Sequence, residues 1–219
     1  MAPNKKFEQQ VQQLIDIHQI QNLMSRYEYV HVAGPHPEEA DLFAQRTPDV
    51  KLEIANLGVW DGIESIRRWY KGNSDHADKH GRIGQLHLHT LTTPVIEVAG
   101  DGKTAQGVWI SPGVETGPMP GASEVMAAWQ WVKYGVDFIK EDEEWKIWHF
   151  HIYRIFFASY NKSWAEPTQR PRLVTLPDEI KPNRPPTYEW QYSPQVAPEN
   201  VPAPPTPYES WDDSRSYVK

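Results

Sequence analysis

The chain has 219 residues, a formal charge of −7, 39% hydrophobic residues and no cysteine. That length fits one domain with an appendage, and an acidic chain without a basic run is a poor partner for a phosphate backbone or an anionic membrane. Lack of cysteine removes disulfides, thiolate nucleophiles and zinc–thiolate sites together. The polar start MAPNKKFEQQVQQ lacks the apolar run of a signal peptide, and no stretch has the apolar length of a membrane span. The expectation is a soluble, cytoplasmic protein.

In chain order, residues 5–31 show helical spacing through Phe7, Val11, Leu14, Met24, Tyr27 and His31, closed by Gly34 and Pro35. A short helix is predicted over 37–46, then a strand at 50–54. The stretch WDGIESIRRWYKG gives an amphipathic helix with Gly72 placed as its C-cap. Four long strands follow at 85–98, 103–112, 125–140 and 145–158, separated by AGDGK, PGVETGPMPGAS and KEDEE. Helices first and an antiparallel run afterwards predict an α+β layer, with helices packed on one face of a curved sheet.

Past Trp164 the composition changes: residues 165–219 hold 12 of the 20 prolines. Proline withholds a ladder donor and fixes φ, so this segment is neither sheet nor ordinary helix. It also carries Tyr188, Trp190, Tyr192, Tyr208, Trp211 and Tyr217, more rings than a disordered tail usually has. The division is a domain at 1–164 and an extended arm at 165–219, anchored by its rings on the domain or on a partner subunit.

Two triplets carry the chemistry, HLH at 87–89 and HFH at 149–151. Alternate side chains of a strand leave by the same face, so each triplet sets two imidazoles side by side. A metal site could be built from His87, His89, His149 and His151, but a cupin pattern needs a glutamate three or four residues beyond its pair. Here the first acid after His89 is Glu97, and Asp137 is the strand acid that would have to serve. The alternative is acid–base chemistry, for which histidine is suited at neutral pH. The expectation is therefore no metal and no cofactor.

The segments LMSRYEY, VKLEIANLGVWDGIESIRRWY, HLHTLTTPVIEVAGDGKTAQGVW and GVDFIKEDEEWKIWHFHIY, in that order, resemble the SnoaL-like branch of the nuclear transport factor 2-like superfamily over residues 8–158. The resemblance implies an α+β cone, a strongly curved antiparallel sheet wrapped around the N-terminal helices with a deep pocket in its mouth. It also implies a pocket histidine at His89. Scytalone dehydratase carries a Tyr–Asp pair at the end of the first helix, where His31-Val32 stand here, so the carboxylate is missing from that alignment. The proline-rich ending through PPTPYESWDD looks like the tail of a bacterial subgroup.

From this reading the catalytic candidates are His89 as base, His151 or Tyr27 as acid, and His31. Tyr29, Trp109, Trp131 (or Trp129), Tyr134, His149 and His87 are the candidate substrate-binding residues, an aromatic lining suited to flat phenolic matter. The reading is a cofactor-independent lyase that removes water and formaldehyde from an aromatic, lignin-type diarylpropane to give a stilbene, in the manner of the bacterial lyases of that kind. Its rivals are a dehydratase or isomerase of a steroid, polyketide or phenolic compound, a histidine-ligated metal oxygenase, and a non-catalytic ligand carrier. An apolar outer sheet face predicts a homodimer or higher homo-oligomer.

Overall fold

The computed structural model describes residues 5–118, 125–166 and 176–219. Helix α1 (Lys5–His31) is followed by a 3-10 turn (Pro37–Leu42), a hairpin of β1 (Lys51–Ile54) and β2 (Gly58–Asp61), and α2 (Ile63–His80). Then come β3 (Leu86–His89), β4 (Thr92–Val98), β5 (Thr104–Pro118), β6 (Val125–Glu141) and β7 (Glu144–Ser159). The strands form one sheet in the order β2-β1-β7-β6-β5-β3, with β4 also on β5. This is the expected α+β cone, a curved and unclosed sheet around few helices. Among the described residues no helix is long and apolar enough to cross a membrane.

The inward row of the sheet makes the core. Ile20, Met24 and Tyr27 of α1 pack with Phe43, Trp60, Ile66 and Tyr70, and with Phe138, Ile147 and Phe150 of β6 and β7. Only the second half of α1 takes part. Phe7 and Leu14, counted as part of its apolar face from spacing, are 62% and 68% exposed, because the helix overshoots the sheet it packs on.

Four expectations are corrected. The sheet is mixed, since β1 runs parallel to β7 with Glu53 beside His151; periodicity carries no information about a strand's partner. The segment 85–98 is two strands, β3 paired with Gly113–Thr116 and β4 with Ala105–Ile110; Thr93, with a positive φ of 49°, sits at a register shift near the start of β4. Strand β2 was missed, although Trp60 on it is fully buried. Helix α2 continues through Gly72 to His80, and Gly81 with φ 87° ends it. Gly72 serves another purpose: a Cβ there would run into Ile180 of the C-terminal segment.

That segment starts against α2 and the edge strand β2 and then crosses the outer face of the sheet. The Trp60 indole donates to the Ile180 carbonyl at 3.1 Å, Thr187 N–H donates to Glu53 at 2.5 Å, and the Gly100 N–H donates to the Tyr208 carbonyl at 2.9 Å. At its end, Tyr217 N–H and Ser216 Oγ both donate to Asp137 Oδ2, at 3.1 and 2.9 Å. Buried polar groups need such partners, and here the chain's own arm supplies them over the middle of the face from which an oligomer was expected.

Candidate active site

Helix periodicity supplies half of the site. Tyr27 and His31, one turn apart on α1, stack with ring centroids 5.9 Å apart and planes within 10°. The Tyr27 hydroxyl is 3.1 Å from that of Tyr70 on α2. Strand alternation supplies the other half. Leu88 is exposed, so His87 and His89 both face inward, with ring centroids 5.4 and 5.9 Å from His31. Gly113, register-paired with His89, leaves space for the imidazole that any Cβ would occupy. The three histidines border a cavity of about 260 Å³ between the helices and the concave sheet, closed by Tyr134 of β6 and Arg154 of β7.

Two of these histidines have a carboxylate each. His31 Nδ1 lies 3.2 Å from Glu39 Oε2. Glu39 is fully buried and pinned by the His36 N–H at 2.8 Å on its other oxygen. Burial alone would lower the His31 pKa, but the negative charge of Glu39, with Glu28 and Glu115 behind it, holds it above the usual histidine value. Glu39 thus favours the protonated form of His31.

His89 is held differently. Its Nε2 is 3.1 Å from Glu115 Oε1, while Nδ1 is buried with no partner. With Nε2–H donating to the carboxylate, Nδ1 carries the lone pair. Glu115 stays ionised: burial raises it, but the hydrogen bond from His89 and the neighbouring imidazoles bring its pKa below the ordinary carboxylate value. His87 is neutral, pushed down to about 4 by burial. Burial also raises the Glu28 carboxyl, with His31 and His89 pulling against it, and keeps Tyr27, Tyr70 and Tyr134 as neutral phenols. The cavity therefore sets His31, held toward its protonated form by Glu39, opposite His89, whose Nδ1 has no partner.

A family model for the SnoaL-like domain matches residues 12–151. The chain belongs to the SnoaL-like domain family. Among solved structures it is similar to a provisionally assigned scytalone dehydratase from Novosphingobium aromaticivorans DSM 12444 (17% identity, TM-score 0.53, covering 73% of this chain and 97% of that one). It is also similar to a type 2 hexachlorocyclohexane dehydrochlorinase (16%, 0.51, covering 67% and 89%). A third is a provisionally assigned dehydratase of the nuclear transport factor 2-like family from Streptomyces avermitilis (18%, 0.53, covering 65% and 98%). Identities this low establish the fold alone. No curated protein matches the chain.

Within this SnoaL-like cone the residues picked from sequence divide. His31, His87, His89, Tyr27 and Tyr134 meet at the cavity. His149 and His151 do not: Phe150 packs edge-on against Tyr27 inside, so strand alternation sends its two neighbours outward. There His149 Nδ1 meets Asp137 Oδ2 at 3.0 Å, and His151 Nδ1 donates to the Tyr217 carbonyl at 2.8 Å. Burial drives the His151 pKa down to about 3. His151, expected as a catalytic acid, thus lies apart from the cavity of His31 and His89, on the outer face where it fastens the arm.

Trp109 is buried in the core, edge-on to Phe138. Trp131 lies on the outer face beside a β-bulge, stacked on Phe156. Tyr29, next to the inward Glu28, is 85% exposed. None of the three lines the cavity.

Sequence reasoning missed Glu28, Glu39, Glu115, Tyr70 and Arg154. The carboxylate thought absent at His31-Val32 is present one turn earlier, in the pair Tyr27-Glu28; its position three residues before His31 was the available signal. Glu115 is likewise a strand acid beyond Asp137, placed opposite His87 by hairpin register. Asp137 itself is committed to His149 and the arm. Among the described residues no three histidine or carboxylate side chains are grouped so as to hold a metal ion.

Proposed function

We propose that this SnoaL-like protein is an acid–base lyase that eliminates water from a small aromatic alcohol, using His31 as acid, His89 as base and no added cofactor. The observation that carries the reading is the facing pair His31–Glu39 and His89–Glu115, with imidazole centroids 5.9 Å apart across one cavity. His89 Nδ1 takes a substrate proton, the freed electron pair forms the double bond, and the carbon–oxygen bond breaks. His31 hands a proton to the departing hydroxyl, which leaves as water. Such proton transfers contribute roughly 10²–10⁴-fold each. The names of the similar structures, two dehydratases and a dehydrochlorinase, are those of eliminations and favour the same class.

The finer reading is a 1,2-diaryl-1,3-diol of lignin type. His31 protonates the benzylic hydroxyl of the para-phenolate form, water departs, and the phenolate oxygen supplies the electrons of a quinone methide. His89 then takes the proton of the primary alcohol, the carbon–carbon bond breaks to release formaldehyde, and the electrons restore the phenolate of a stilbene. The rings of Tyr27, Trp69, Tyr70 and Tyr134 around the cavity support an aromatic occupant.

The test is incubation with benzylic alcohols and diaryl diols, with products identified by mass spectrometry. Loss of water alone supports the coarser elimination, and water with formaldehyde supports the diol reading. Turnover that survives both His31→Gln and His89→Gln ends both.

A further inference from the structure

Arg154 has no counterpart in the scheme above. It projects from the inward row of β7, paired in register with Val132, and lines the same cavity as His89 and Glu115. A guanidinium carries five N–H donors and no acceptor. Among the described residues none of the five has a hydrogen-bond acceptor, Nε is sealed from solvent without a partner, and the side chain forms no ion pair; its close neighbour is the Phe157 ring, 5.9 Å from the guanidinium carbon. For Nε, the one nitrogen sealed from water, leaving the bond unmade is costly. Glu115, the acid whose charge reaches Arg154, is already bonded to His89; Glu39 is held by His31 and the His36 N–H.

We propose that Arg154 anchors an anionic oxygen group of the substrate, and that the substrate is an aromatic acid whose carboxylate the guanidinium receives. A planar fork of N–H groups matches the two oxygens of a carboxylate. The surrounding rings take the arene, and His31, whose protonated form Glu39 favours, lines the same cavity. Asn73 and Gln130, which line the same space, are the neutral partners available to the carboxylate's remaining lone pairs. Binding the anion supplies acceptors that the folded chain lacks, and it orients the arene relative to His89.

This deepens the lyase reading and rests on the same cavity, so its test measures binding without turnover. Benzoate is titrated into the full-length protein by calorimetry, beside its neutral isostere benzamide, with the wild type, Arg154→Gln and Arg154→Lys. The expected result is benzoate binding at least tenfold tighter than benzamide. Arg154→Gln should remove that preference while leaving benzamide affinity unchanged, and Arg154→Lys should keep part of it. Thermal melts of both variants control for folding. Equal affinity for the two probes, no benzoate binding at millimolar concentration, or a preference that persists in Arg154→Gln overturns the proposal. Benzoate preference without any elimination activity would retain the anion site and reject the lyase reading.

Discussion

The same triplet, histidine–apolar–histidine, occurs on β3 and on β7 and ends in two different environments. On β3 the imidazoles of His87 and His89 look into a cavity of about 260 Å³ and share it with His31. On β7, His149 and His151 look outward and are sealed under the arm by Asp137, Ser216 and Tyr217. The residue types are identical; what differs is the company: the β3 pair shares its cavity with a third histidine, whereas His151 borders a separate space of about 430 Å³ on the outer side, lined by the arm. Two HxH pairs are thus one candidate catalytic group and one fastening, and the comparison can be broken at either end.

The largest effect belongs to the inner group. His89→Gln should lower kcat for the elimination by about 10²–10⁴-fold, the usual contribution of one general acid–base group, with little change in Tm. His151→Gln should leave kcat within about twofold. A large loss of kcat in His151→Gln with normal folding would reverse the assignment of the two triplets.

Next is the fastening. Asp137 is fully buried and accepts from Gln106, Ser216 and the Tyr217 N–H while facing His149. Removing one member of a buried charged network typically costs ~3–5 kcal/mol. Asp137→Ala should therefore lower the unfolding free energy by an amount of that order, seen as a lower urea midpoint, and release the arm to proteolysis. The folded fraction should keep its kcat, because Asp137 points away from the cavity.

How far the sequence foretold this depends on the kind of information. Parity was legible: Tyr27 with His31, His87 with His89 and His149 with His151 each share a face, as periods of 3.6 and 2 require. Which face was not, because the β7 rows Phe150–Ile152–Arg154 and His149–His151–Tyr153 are alike in polarity. The direction was set by Phe150 meeting Tyr27, a contact between residues far apart in the chain. The carboxylates were hidden for a similar reason. Glu39 arrives from a 3-10 turn and Glu115 from hairpin register, and neither leaves a local pattern. Gly72 looked like a helix end because the Ile180 side chain it accommodates is a tertiary neighbour.

A smaller effect separates the two regions by pH. His151, neutral when folded with a pKa of about 3, has an ordinary value of 6.5 once exposed. As the pH falls below that ordinary value, the unfolded chain takes up a proton that the folded chain refuses, so this contribution to stability is lost. The size is ~2 kcal/mol between about pH 7 and about pH 5, at ~1.4 kcal/mol per pH unit. His31 has the opposite sign: its pKa is raised by folding, so its contribution is fully present below 6.5 and lost as the pH rises through the raised value. Urea titrations across this range should show an acid-side decline that shrinks in His151→Gln, and an alkaline-side decline that shrinks in His31→Gln. An acid-side slope unchanged in His151→Gln would mean that the clasp is not carried by a neutral imidazole.

The smallest expected effect marks where the site ends. Tyr29 follows Glu28 directly, yet one residue of helix turns it out to solvent, 85% exposed, whereas both Glu28 oxygens are sealed. Exposed positions without special contacts change stability by about ±0.5 kcal/mol at most, so Tyr29→Ala should leave Tm and kcat/KM near wild type. Glu28→Gln alters a carboxyl that acts on both His31 and His89 and should shift the pH profile of kcat, since the charge that helps set the two imidazoles is gone. If instead Tyr29→Ala lowered kcat/KM and Glu28→Gln left the pH profile alone, substrate would be entering along the outer side of α1, and the border drawn between Tyr27 and Tyr29 would have to move.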